Sequence, residues 1–187
     1  QVEAAEAVRR LVEFARAQGA REVAILGTSA VRDCANRAEF GALVRATAGV
    51  PLTIISGEVE ARLVAAGVRT DPALAACPNL TIFDLGGGSL EVARVRGSEV
   101  TLARSYPLGS VRLTHGYLRG GEGVVDELDQ ASIRDHLLRT LGPVLSPRLA
   151  EQSLVVGAGG VFSAVALHLE AVGEPVVDGR LPALRIR

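Results

Sequence analysis

The sequence predicts an α/β fold, and three observations carry that prediction. Short Val/Ile-rich runs alternate with longer stretches of helical apolar period. Glycine clusters sit where the apolar runs end, at Gly86–Gly88 and at Gly157, Gly159 and Gly160. The order of the elements also changes half-way, from αβαβα to βββααβα. Alternation of this kind covers the faces of a sheet with helices.

The elements follow in order. Residues 2–18 carry apolar side chains at Val8, Leu11, Val12 and Ala15, a helical spacing, and Gly19 stops the helix. Residues 22–26 form a short strand. Asn36 caps a helix that runs to Ala48 and ends at Gly49 and Pro51. A strand at 52–55 leads to Ser56, which caps a helix over about residues 57–68, and Asp71-Pro72 breaks the chain. Strands at 80–84, 89–96 and 99–106 come next, turning at the glycines and at Arg96-Gly97-Ser98. Helices over 109–118 and 126–141 follow, the second capped by Asp126. A strand from Leu154 to Val156 runs into the second glycine cluster and a helix over 161–171, and the last residues show no regular pattern.

A ribonuclease-H-like domain runs βββαβαβα. The first half of the chain reads as such a domain without its three opening strands, and the second half as one without its closing βα. Two of these in tandem make the actin-like architecture, with a phosphate or nucleotide cleft between the domains. The expected division is 1–69, the C-terminal part of the first domain, and 70–187, a second domain truncated at its C-terminus.

Composition narrows the function. The chain has 187 residues, 48% of them hydrophobic, and a formal charge of −1. No basic footprint argues for nucleic acid, and aromatics make up only 3%, too few for stacking on single strands. No apolar run reaches the roughly 18 residues a membrane helix needs. Cys34 and Cys77 lack metal-type spacing and read as reduced core residues of a cytoplasmic protein. Lysine is absent altogether, which rules out a Gly-Lys-Ser/Thr phosphate loop and Schiff-base chemistry. His115, His136 and His168 are scattered over separate helices and read as structural.

Three segments carry candidate chemistry. In Thr81-Ile-Phe-Asp-Leu-Gly-Gly-Gly-Ser89, a buried strand delivers Asp84 to the edge of a sheet. Gly86, Gly87 and Gly88 take positive φ without steric cost and expose backbone N–H groups, which make an anion-binding concavity. Ser89 adds a hydroxyl. A carboxylate beside a phosphate cradle calls for a cation, and Mg²⁺ is the usual one; the same residues also suit an ordinary tight hairpin. The second segment, Thr28-Ser-Ala-Val-Arg-Asp33, follows a strand. Thr28, Ser29 and the following helix N-terminus suit an anion, and Arg32 offers a planar fork; an ordinary cap with a surface arginine is the alternative. In the third, Ser56-Gly-Glu-Val-Glu-Ala-Arg62, Glu58 and Glu60 are two apart on a helix, so only one of them faces a cleft. There it would act as a general base on water, or both would simply favour the helix dipole. Neither glycine cluster is a dinucleotide fingerprint, since Phe162 stands where the second cluster would need its third glycine.

Thr28-Ser-Ala-Val-Arg-Asp33, Ile55-Ser-Gly-Glu-x-Glu-Ala-Arg-Leu63, Asp84-Leu-Gly-Gly-Gly-Ser89, Pro107-Leu-Gly-Ser-Val-Arg-Leu113 and Val156-Gly-Ala-Gly-Gly160 occur in this order. Together they resemble the exopolyphosphatase / guanosine pentaphosphate phosphohydrolase family, over nearly the whole chain. The resemblance implies an actin-like hydrolase that releases terminal orthophosphate from a phosphoanhydride, with Mg²⁺ (or Mn²⁺) as cofactor. By motif position Glu60 matches the catalytic base and Asp84 the carboxylate at the metal and phosphate site. Arg32 matches a phosphate-contacting arginine. Gly86–Ser89 match a phosphate loop, and Gly157, Gly159 and Gly160 a glycine loop at the cleft. The implied partner is inorganic polyphosphate or, alternatively, guanosine pentaphosphate, in a cytoplasmic protein that forms a homodimer and binds neither nucleic acid nor membrane. The departures from the pattern are Val59, Leu90 and Val161, and the absence of an N-terminal Asp-x-Gly-x-Asn-Ser turn. Leu90 and Val161 stand where a threonine hydroxyl is expected, which also admits a non-catalytic phosphate or nucleotide sensor.

Overall fold

A computed structural model of the chain describes residues 1–118, 125–145 and 153–171; the sequence reading of the last residues falls outside this range. Two compact units result, Gln1–Glu60 and Ala61–Arg187. The sequence had suggested residue 69 as the end of the first domain.

The first unit contains α1 (Val2–Ala17), β1 (Ile25–Gly27), α2 (Ser29–Arg32), α3 (Arg37–Ala48) and β2 (Leu52–Ile54). β1 and β2 pair in parallel, Leu26 opposite Thr53. Val12, Ala48 and Val50 form a small core, joined by Val8, Val23 and Ile25. Leu11, expected on the buried stripe, is exposed instead: the helix turns Val8 and Val12 inward, and residue 11 lies a quarter-turn away. Gly49, in the left-handed region at φ 69°, ends α3. Asn36 holds the N-cap position of that helix without a side-chain cap bond.

α4 (Gly57–Val68) begins at the end of the first unit. The second unit continues with α5 (Pro72–Ala75), β3 (Asn79–Leu85), β4 (Leu90–Arg96), β5 (Glu99–Tyr106), α6 (Ser110–Tyr117), α7 (Glu127–Leu141), β6 (Leu154–Ala158) and α8 (Gly160–Ala171). Asp71-Pro72, expected as a break, starts the short α5. The Asp71 side chain accepts from the Ala73 N–H and proline occupies the first turn, a position that needs no N–H. Asp126 caps α7 as expected, accepting from the Asp129 N–H at 2.7 Å.

The four strands order β5-β4-β3-β6, with β3 antiparallel to β4 and parallel to β6. The three strands expected in succession form an antiparallel meander, and the later β6 joins it beside β3. Side chains alternate across the strands, so the sheet has two cores. Leu80, Ile82, Ala93 and Val95 pack on one face with Ala65 of α4. Val92, Leu90 and Leu108 pack on the other with Leu141 of α7. Asp84 follows Leu80 and Ile82 at even spacing, so it ends the first of these rows.

Cys34, expected in a core, is exposed, because α2 stops after one turn and leaves residues 33 and 34 at the surface. Cys77 is half-buried against the first sheet core. No helix among the described residues is long and apolar enough to cross a membrane.

Candidate functional site

Each unit contributes one cluster. In the first, β1 ends at Gly27, whose carbonyl accepts the Ile55 N–H at 3.1 Å. The Thr28 carbonyl then accepts the N–H groups of Val31 and Arg32, which starts α2, while its hydroxyl makes no cap bond. Ser29 is buried and its Oγ donates to Asp33 Oδ2 at 3.2 Å. That single turn aims Arg32 at the start of α4. Ser56 caps α4 as expected, its Oγ accepting the Val59 N–H at 3.2 Å.

Arg32 and Glu60 meet. Arg32 Nη1 donates to Glu60 Oε2 at 2.8 Å and to the Ile55 carbonyl at 3.1 Å. Both side chains are mostly shielded, 22% and 16% exposed. Glu58 is exposed, so of the two acidic residues it is Glu60 that turns into the fold. The sequence had assigned Arg32 to phosphate; the structure gives its guanidinium a carboxylate.

In the second unit the glycine turn joins β3 to β4. The Gly86 N–H donates to the Ser89 carbonyl at 3.0 Å, which extends the ladder and leaves Gly87-Gly88 at the tip. None of Gly86, Gly87 and Gly88 has the positive φ expected of them. The close approach that demands a glycine is at the residue packed against this turn. A Cβ on Gly109, just before α6, would stand 2.3 Å from Gly87 C and 2.4 Å from Gly88 C. Gly87 is exposed, whereas Ser89 is buried.

The second glycine cluster lies beside Asp84. β6 pairs Ala158 with Asp84, and Gly159 follows at φ +91°. A Cβ there would lie 2.3 Å from Asp84 Oδ1, so the carboxylate occupies space that only glycine leaves. Gly157 makes room for the Phe162 ring, which a Cβ would meet at 2.6 Å. Gly160 has open space around its Cβ position. Asp84 thus has the Gly86–Ser89 turn on one side and Gly159 on the other.

A residue missed in the sequence stands opposite. The register pairs Asp84 with Glu91, and paired residues share a face. Glu91 is 3% exposed and accepts from Ser105 Oγ at 2.6 Å. The signal was available: a two-residue turn at Gly87-Gly88 makes 84 and 91 cross-strand neighbours. The structure therefore puts two carboxylates on one face at the end of the sheet. Among the described residues, no three or more His, Cys, Asp or Glu side chains group as a metal cage. One or two carboxylates suit Mg²⁺, which completes its shell with water and phosphate oxygens. The donor set therefore fits that ion.

The Ppx/GppA phosphatase family model matches residues 2–186. The chain belongs to this family. It is 42% identical over 123 residues to an uncharacterized protein of Streptomyces coelicolor, a match covering 62% of this chain and 36% of that one. It is 40% identical over 109 residues to Exopolyphosphatase 1 of Mycobacterium tuberculosis, covering 57% of this chain and 31% of that protein. The matched part is thus about a third of the length of these curated relatives. Among solved structures, a Ppx/GppA family member from Aquifex aeolicus superposes with a TM-score of 0.70 at 24% identity, over 95% of this chain and 55% of that one. An exopolyphosphatase from Cytophaga hutchinsonii gives 0.80 at 20% identity, over 93% and 55%. At these identities the likeness is one of fold, and it is the actin-like α/β fold that the element order predicted. As a Ppx/GppA chain it has one of the two clusters in each of its units.

Proposed function

We propose that the intact protein hydrolyses a terminal phosphoanhydride, releasing orthophosphate from inorganic polyphosphate. Guanosine pentaphosphate is the alternative substrate. Phosphoryl transfer to water asks for positioning and charge stabilisation more than for covalent chemistry, and the two clusters offer complementary parts of that.

The Arg32–Glu60 pair is the observation that carries the reading. A half-buried carboxylate whose Oε2 is held at 2.8 Å by a guanidinium has a fixed direction. We assign Oε1 to the attacking water, with Glu60 orienting it and accepting its proton. Thr28, Ser29 and Arg32 line the same turn; their contact with a phosphate is part of the proposal. In the second unit, Gly87, Gly88 and Ser89 present backbone N–H groups to the phosphate oxygens, on the turn that the Gly86 N–H closes. Gly157, Gly159 and Gly160 shape the ground beside Asp84.

Asp84, with Glu91 beside it, would hold the divalent cation, Mg²⁺ or Mn²⁺. When bound, such an ion neutralises charge on the phosphate oxygens. Glu91 is itself held by Ser105, which fixes its carboxylate. The sensor reading keeps the anion cradle without turnover; the fixed Glu60 favours the hydrolase.

Orthophosphate release from polyphosphate and from guanosine pentaphosphate, measured side by side on the intact protein, decides the substrate. Glu60→Gln lowers the release rate by about 10²–10⁴-fold, the usual contribution of a general base. Parental turnover in that variant removes Glu60 from the reaction, and tight binding without any turnover in the parent identifies a sensor.

A further inference from the structure

The segment Pro107–Leu113 takes no part in the chemistry assigned above, yet it is built directly onto the glycine turn. The Ser110 N–H donates to the Gly86 carbonyl at 2.9 Å. The Arg112 N–H donates to the Gly87 carbonyl at 3.1 Å. Arg112 Nε donates to the Gly88 carbonyl at 2.9 Å. The first turn of α6 thus engages three consecutive carbonyls. Gly109 permits this, since a Cβ there would stand 2.3 Å from Gly87 C and O.

The consequence follows from peptide geometry. The described backbone has no cis peptide bonds, and in a planar trans peptide the C=O and the next N–H point in opposite directions. With the carbonyls of Gly86, Gly87 and Gly88 drawn to α6, the N–H groups of Gly87, Gly88 and Ser89 point away from it. Successive N–H groups turned to one side make a concavity for an anion. The Gly86 N–H is not among them, because it closes the turn.

We infer that Gly109 and Arg112 are positioning residues that aim the N–H groups of Gly87, Gly88 and Ser89 at a polyphosphate oxyanion by holding the carbonyls behind them. This rests on the reading of Gly86–Ser89 as a phosphate cradle. Arg112 acts here through the backbone, as a donor to Gly88, and its charge is incidental to the role.

The test uses the intact protein, inorganic tripolyphosphate as the probe, and NMR shifts of the three amides as the readout. The parent shows saturable shifts at Gly87, Gly88 and Ser89; their absence overturns the cradle reading and with it this inference. Arg112→Gln keeps an N–H donor without the charge and binds within about twofold of the parent. Arg112→Met keeps the length without a donor and weakens binding about fivefold to tenfold, the scale of one hydrogen bond. Gly109→Ala abolishes the three amide shifts, while hydrogen exchange across the β3–β4 ladder stays protected. If Arg112→Gln and Arg112→Met lose affinity equally, while Arg112→Lys binds like the parent, the charge touches the anion and the positioning role is wrong. Parental binding in Arg112→Met or in Gly109→Ala also overturns it.

Discussion

The two clusters are built from opposite materials. In the first unit the parts are side chains: Arg32 and Glu60 meet at 2.8 Å, 28 residues apart in sequence, with the Ile55 carbonyl as third member. In the second the parts are mostly backbone. Gly86–Gly88 lie against Gly109, and Asp84 lies against a left-handed Gly159. A side-chain cluster fixes one charge in one direction, which is what orienting a water requires. A backbone cluster spreads donors over several peptide units, which is what a phosphate with several oxygens requires. Substitutions should therefore fail differently in the two places.

The largest effects are expected in the backbone cluster. Gly159→Ala puts a Cβ 2.3 Å from Asp84 Oδ1 at a φ of +91°. The left-handed conformation alone costs a non-glycine residue about 1–2 kcal/mol, and the carboxylate must also move. Expected is a loss of tripolyphosphate binding larger than that of Asp84→Asn, read by calorimetry. A Gly159→Ala protein that binds like the parent would show that the Asp84 position does not matter to the anion.

Next comes the charged pair. Arg32→Ala leaves Glu60 partly buried without its partner. The cost to folding lies between that of an exposed pair and a buried one, about 1–3 kcal/mol, measured by urea unfolding. Turnover is expected to fall through kcat more than through KM, because the guanidinium orients the base. A rise in KM alone would leave Arg32 with the phosphate contact and remove its part in orienting the base.

Much of this contrast was legible in the sequence, for reasons tied to particular residues. The order of the elements along the chain was legible from the positions of the glycines, which end the strands at 84 and 156 and mark the turn between β4 and β5. Asp84 stood out as an acidic residue at the end of an apolar run, whereas Glu60 was set apart from Glu58 only by the order of the motifs. The Arg32–Glu60 pairing was not legible, since it depends on a one-turn α2 aiming residue 32 across 28 positions. Gly86–Gly88 were read as positive-φ residues, which they are not, whereas the position that must be glycine for lack of space against this turn is Gly109, a tertiary fact. Glu91 was missed because nothing in Leu90-Glu-Val-Ala marks it as buried, yet it is 3% exposed, and only its register opposite Asp84 points to it.

Smaller effects sharpen the comparison from the side of stability. Ser29→Ala removes the hydroxyl that donates to Asp33 at 3.2 Å. It should cost about 1 kcal/mol in unfolding free energy, measured by urea unfolding. Smallest of all is the Glu6–Arg9 pair on α1, where the hydrogen bond from Arg9 lowers the Glu6 carboxyl below its usual 4.5. A lowered folded pKa means stability that is present above the unfolded value and lost as pH falls through the folded one. Glu6→Gln should therefore lower Tm slightly near neutral pH and not at all in acid, and added salt should erase the difference. A Tm difference that persists in acid would assign the effect to helix propensity instead.

The central contrast is between a residue that performs the chemistry and a cradle that holds the anion. Tripolyphosphate affinity and single-turnover orthophosphate release, measured together on Glu60→Gln and Asp84→Asn in the intact protein, test it most directly. The account predicts that Glu60→Gln binds with near-parental affinity and does not turn over, while Asp84→Asn loses both. Lost binding in Glu60→Gln, with binding retained in Asp84→Asn, would contradict it.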